Sequence, residues 1–174
     1  MPSYRFKFRL DGIEKIRKEI KDLELTVTQR DAKTIGVAAR DLMLEMISSG
    51  QSPIHGKGKF PPYKRADDPD GYPNNMRSRF PNKKKTPVNL HLSGDFLDTL
   101  EVRTSGAASN PQIKIGFYDS LSKQKEQGHR EGAKGQPKRP IIPNGKERFH
   151  DKIESLILTL FRQLVLKGVS KLKG

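Results

Sequence analysis

Between Gln51 and Val88 the chain carries Pro53, Pro61, Pro62, Pro69, Pro73, Pro81 and Pro87, interspersed with Gly56, Gly58 and Gly71. Each proline removes a backbone donor, fixes its own φ and pushes the preceding residue out of the helical region. Neither a helix nor a central strand can run through such a stretch, and no apolar periodicity survives in it. The middle of the chain is therefore a long irregular loop, and regular structure has to come from its flanks. A loop of this length inside a compact domain is usually functional or disordered. At 174 residues the whole chain, 1–174, is expected to be one domain, with the loop at 51–88 and a flexible basic tail at 167–174.

Upstream of the loop, Tyr4, Phe6, Phe8 and Leu10 alternate with Arg5, Lys7 and Arg9, which predicts an edge strand with one apolar and one cationic face. Asp11-Gly12 turns the chain, and Ile13, Ile16, Ile20 and Leu23 recur at helical spacing. Thr28, preceded by Val27 and followed three residues on by Asp31, is close to a capping box with a hydrophobic staple. Ile35, Ala38, Ala39, Leu42, Met43, Met46 and Ile47 then predict a helix of about five turns, which Ser48-Ser49-Gly50 stops. Its methionines read as core, and its paired alanines permit close approach of a sheet or a second helix.

Downstream, Ser93 is placed as the N-cap of a short helix over Gly94 to Thr99, with Asp95 and Asp98 where the helix dipole favours them. Glu101-Val102-Arg103-Thr104 and Ile113-Lys114-Ile115-Gly116-Phe117 alternate as two strands about a turn at Ser105 to Pro111. Ser120 to Gly128 predicts a short helix or turn, Gly128 to Gly135 a flexible charged loop, and Arg139 to Pro143 an extended segment suited to a sheet edge. Asn144 with Glu147 predicts the cap of a last helix. The apolar stripe of that helix, Phe149, Ile153, Leu156, Ile157, Leu160, Phe161, Leu164 and Val165, is wide enough for burial on more than one side. The expected fold class is α+β: a small, mainly antiparallel sheet packed by a helix from the N-terminal half and a C-terminal helix.

Chemistry is conspicuous by what is missing. The histidines His55, His91, His129 and His150 match no metal-ligand spacing. Asp67-Asp68-Pro69-Asp70-Gly71 fails as a calcium loop, because Ala66 and Arg77 would fall at its first and last ligand positions. Nucleophile-elbow, phosphate-loop and dinucleotide signatures do not occur. The absence of cysteine removes disulfides, zinc thiolates and thiol nucleophiles, and fits a reducing cytoplasm at synthesis. With no apolar run of membrane-spanning length and no signal-peptide core in Met1 to Arg5, no membrane association is expected. The expectation is a non-enzyme with no catalytic residue, cofactor or metal.

Charge points elsewhere. Lys and Arg number 34 against 20 Asp and Glu, for a net +14, which favours nucleic acid, an anionic surface or an acidic protein as partner. A hydrophobic content of 33% and a mean hydropathy of -0.75 are low for a compact fold, so some surface is expected to be buried only against partners. In the central loop the cations are interleaved with Phe60, Tyr63, Tyr72 and Phe80, a mixture that suits base stacking and a protein-interface anchor equally. Ordering of the loop by neighbouring subunits is the reading adopted, with DNA contact or a merely solvated loop as alternatives. The candidate interface residues are Phe60, Tyr63, Arg77, Arg79 and Phe80 in the loop and Leu160, Phe161 and Leu164 on the last helix.

The Leu92-Ser93-Gly94 segment, Leu97 and Leu100, the two strands, the polar segment from Gln124 to Gly128, and Pro137-Lys138-Arg139-Pro140 ahead of a C-terminal helix follow one another in a specific order. In that order and spacing they resemble the tail-completion, or virion morphogenesis, family of minor tail and neck proteins of tailed bacteriophages, from about Leu90 to the end. The resemblance implies a structural protein of the virion, assembled in the host cytoplasm. Its expected partners are copies of itself, in a ring of six or twelve, and other neck and tail proteins. The central loop is longer than that pattern places before the Leu-Ser-Gly segment, so tail completion, tail terminator and head closure all stay open. A non-sequence-specific nucleic-acid-binding module is the alternative function. Any binding of duplex DNA by the isolated chain is expected to be weak and steeply salt-dependent.

Overall fold

Thr28 opens the first described helix, α1 (Gln29–Ser48), through a reciprocal cap. Its hydroxyl accepts from the Asp31 amide at 3.1 Å while the Asp31 carboxylate accepts from the Thr28 amide at 3.1 Å. The computed structural model describes residues 27–81, 83–90, 95–106, 111–132 and 136–172, with side chains to Gly168. The strand expected at Tyr4 to Leu10, the helical pattern at Ile13 to Leu23, the Ser93 cap and His91 lie outside the described residues. Ala32, Ile35, Gly36, Ala39, Met43, Met46 and Ile47 form the buried face of α1, as the periodicity predicts. Gly50, at φ 81°, takes the left-handed conformation that ends the run.

A one-turn helix, α2 (Asp95–Asp98), buries Phe96 and Leu97 and leads into β1 (Leu100–Ser105), which pairs antiparallel with β2 (Gln112–Phe117). The register sets Leu100 opposite Phe117, Val102 opposite Ile115 and Thr104 opposite Ile113. That face meets α1, and the alternate face carries Glu101, Arg103 and Lys114. On the other side α1 packs against α4 (Asp151–Leu172), whose Ile153 and Ile157 are buried. The fold is α+β. Its core gathers around α1, between the hairpin and α4.

Several local expectations are corrected. Gly128 to Glu131 is not loop but the last turn of α3 (Ser120–Glu131). Asp119 caps that helix by accepting from the Ser122 amide at 2.7 Å, the Arg130–Glu126 ion pair at 2.9 Å spans one turn, and Gly132 closes it in the left-handed conformation. Arg139 to Pro143 joins no sheet among the described residues. Pro140 and Pro143 offer no amide to a ladder, and the segment instead buries Ile141 and Ile142 in the core. Asn144 and Glu147 do bond reciprocally, the Asn144 amide to the Glu147 carboxylate at 3.0 Å, but they close a turn ahead of a helix that starts at Asp151. Finally, α4 continues through Leu172, into the stretch expected to be a frayed tail.

Among its described residues the central loop is irregular as expected, with only a 3-10 turn at Asn74–Met76. Parts of it are anchored within this chain. Isolated bridges join Gln51 to Lys59 and Ile54 to Phe149, and Ile54, Phe60, Tyr63 and Val88 are buried in the core. Apolar side chains without helical or strand period still remove area from water, which is sufficient to tie an irregular segment down.

Candidate functional site

The loop is locked by a buried cluster of cations and rings. Lys83 and Arg139, each 3% exposed, converge on Tyr63. The Lys83 ammonium donates to the Tyr63 hydroxyl and lies 4.4 Å from the centre of its ring and 5.1 Å from that of Tyr72. The Arg139 guanidinium carbon sits 4.6 Å from the Tyr63 ring centre. Its Nε and Nη2 donate to the carbonyls of Pro61 and Pro62 at 3.0 and 2.9 Å. Tyr63 and Tyr72 meet edge-on at 5.2 Å, so the cations and the two rings form one contiguous cluster. The prolines interrupt regular secondary structure here, and the Pro61 and Pro62 carbonyls accept from the guanidinium instead of from a backbone ladder.

No carboxylate is paired with either cation among the described residues, and the electrostatics follow from that. Burial, reinforced by the neighbouring Arg139 charge, pulls the Lys83 ammonium down to about 8. Burial pushes the Tyr63 phenol above its ordinary range, and Tyr72 in the same direction. His129, stacked on Phe96 at 5.5 Å, is pulled down to about 4 by burial and then by the charges of Arg139 and Lys83. The cluster joins the loop to α3, because the Arg139 amide also donates to the His129 carbonyl at 2.6 Å.

A second network ties α3 to the turn before α4. Arg130 pairs with Glu126 at 2.9 Å and Glu147 at 3.1 Å and donates to the Ile142 carbonyl, and Lys57 reaches Glu147 at 3.3 Å. On the surface, His55 and Arg148 both approach Asp151, at 3.0 and 2.6 Å. Among the described residues no group of three His, Cys, Asp or Glu side chains could hold a metal ion, and no helix is long and apolar enough to cross a membrane.

The expected interface residues therefore separate. Phe60 and Tyr63 are interior to this chain, at 8% and 6% exposure, and cannot serve as surface anchors. Arg77 and Arg79 are exposed, and Phe80 is half-buried beneath Arg79, whose guanidinium carbon lies 5.4 Å from its ring centre. Leu160, Phe161 and Leu164 are half-buried against the core, next to Leu166 at 68% exposure. Sequence reasoning missed Lys83, Arg139, Tyr72 and His129 as one cluster. The available signal was an Arg between Lys138 and Pro140 ahead of the apolar pair Ile141-Ile142, a position where a cation is carried into the interior. Comparison of the chain with protein-family models, with curated proteins and with solved structures finds no match.

Proposed function

We propose that the chain is a structural subunit of a tailed-bacteriophage virion, a tail-completion or neck component that joins or caps the tail at the head-tail interface as a ring of six or twelve copies. The ordered series of a short helix, an antiparallel hairpin, a polar helix, a proline-flanked segment and a C-terminal helix supports this reading. The observation that carries it is the stretch of α4 from Leu156 to Leu166. There Leu156, Leu158, Leu160, Phe161, Leu164 and Val165 are only half-buried, and Leu166 is 68% exposed. A lone subunit leaves this apolar surface in water, whereas a closed ring of heterologous contacts would cover it.

Light scattering coupled to size exclusion, with negative-stain electron microscopy, tests the reading on the purified chain. Closed rings are the expected result, and Leu166→Glu should reduce them to monomers without lowering the thermal midpoint. A chain that stays monomeric at high concentration and is absent from particles would overturn it.

A further inference from the structure

From Arg77 to Lys85 the chain holds Arg77, Arg79, Lys83, Lys84 and Lys85 and no carboxylate. Lys83 is turned inward to Tyr63, and Lys85 pairs with Asp67 at 2.7 Å. That leaves Arg77, Arg79 and Lys84 exposed and in no ion pair with a described residue. Their backbone is held in successive turns: the Arg77 amide donates to Asn74 at 3.2 Å, Phe80 to Met76 at 2.8 Å and Lys83 to Phe80 at 2.9 Å. Lys83, next to Lys84 in the chain, is buried and bonded to Tyr63, which anchors the segment. The three exposed cations thus sit on a tethered stretch of backbone, and binding need not first order a floppy tail.

We propose that Arg77, Arg79 and Lys84 form a contact surface for the phosphate backbone of duplex nucleic acid, without readout of base sequence. Protein interfaces draw most of their energy from aromatic or aliphatic anchors in desolvated pockets. Here the ring that Arg79 covers, Phe80, is half-buried, and Tyr72 packs edge-on against Tyr63. A polyphosphate needs only a row of cations, since its binding is driven by counterion release, and guanidinium forks match phosphate oxygens bidentately. The surface belongs to the single chain and does not rest on the virion reading.

Fluorescence anisotropy of a labelled 30-base-pair duplex, titrated with the full chain from 50 to 200 mM salt, tests it. Each phosphate-bound cation adds about 0.9 to the slope of log K against log salt, so Arg77→Ala/Arg79→Ala/Lys84→Ala should flatten that slope by roughly 2.7. The control Lys123→Ala/Lys125→Ala/Arg162→Ala removes equal charge from exposed positions on α3 and α4 and should retain most of the slope. On the unaltered chain, duplex should protect Arg77 and Arg79 from phenylglyoxal, a readout that does not depend on variant folding. No binding at 50 mM salt, equal loss in both triple variants, or competition by polyglutamate as effective as by unlabelled duplex would each overturn the proposal.

Discussion

A Cβ placed on Gly36 of α1 would lie 2.4 Å from Cγ1 of Val102 in β1, and 2.7 Å from Cγ2 of Ile113 in β2. The helix approaches the hairpin this closely because it has no side chain there, although glycine costs a helix interior about 1 kcal/mol. Packing outweighs propensity at this position.

Gly36→Ala is therefore expected to destabilise. The gain in helix propensity is about 1 kcal/mol, against an overpacking penalty of about 1–3 kcal/mol, because the opposing methyls belong to β-branched side chains with few rotamers. Gly36→Val should be worse than Gly36→Ala. Urea denaturation of both variants checks the order, and an alanine variant more stable than the parent would contradict the close packing.

Lys83 sets the alkaline behaviour. Its ammonium titrates at about 8 in the fold against 10.5 ordinarily, so between these values the unfolded chain binds more protons than the folded one and stability rises with pH. The raised Tyr63 and Tyr72 phenols act oppositely, but only above about pH 10, where unfolded tyrosine ionises. Thermal midpoints should climb from pH 8 to pH 10 and then turn over. In Lys83→Met the climb should vanish, with stability at pH 7 raised by about 1 kcal/mol, because an unpaired buried charge is replaced by an apolar chain of similar length.

His129 sets part of the acid behaviour. Held neutral down to about 4, it takes up a proton only on unfolding as pH falls through 6.5, so its share of stability is lost between those values. The imidazolium would face Arg139 and Lys83, both positive, with Phe96 across its ring. His129→Gln should flatten the stability profile between pH 6.5 and 4 relative to the parent chain, measured by urea titration at half-unit steps. An unchanged slope would place the acid sensitivity elsewhere.

Local period explains what could be read in advance. The Thr28 box, the buried face of α1 and the strands about Val102 and Ile115 each depend on residues within a few positions of one another, so their spacing is visible in the sequence. Gly36 was not legible, because a mid-helix glycine looks like a weakness until the hairpin is laid against it. Nor was the cluster joining Tyr63 to Lys83 and Arg139, since cation–ring contacts between distant residues leave no periodic trace. The same loss hid the core role of Phe60. An aromatic among cations and prolines resembles a surface anchor, and only the bridge from Gln51 to Lys59 next to it turns it inward.

Phe60 and Phe80 therefore part company, although both sit in the same aromatic and basic loop. Phe60 is 8% exposed within the core, and its amide donates to the Gly50 carbonyl at 2.8 Å, so Phe60→Ala removes a ring from a site fixed by backbone on one side. The expected cost is about 3–5 kcal/mol, with a corresponding fall in urea midpoint. Phe80 is half-buried and covered by Arg79, and truncating it should cost about 1 kcal/mol, since the turn around it is held by backbone hydrogen bonds that alanine preserves. Assembly defects in Phe80→Ala would then report on surface contacts, whereas those in Phe60→Ala would report on folding. Circular dichroism melts run beside the light-scattering assay separate the two, and equal destabilisation by both substitutions would mean that the loop is not partitioned in this way.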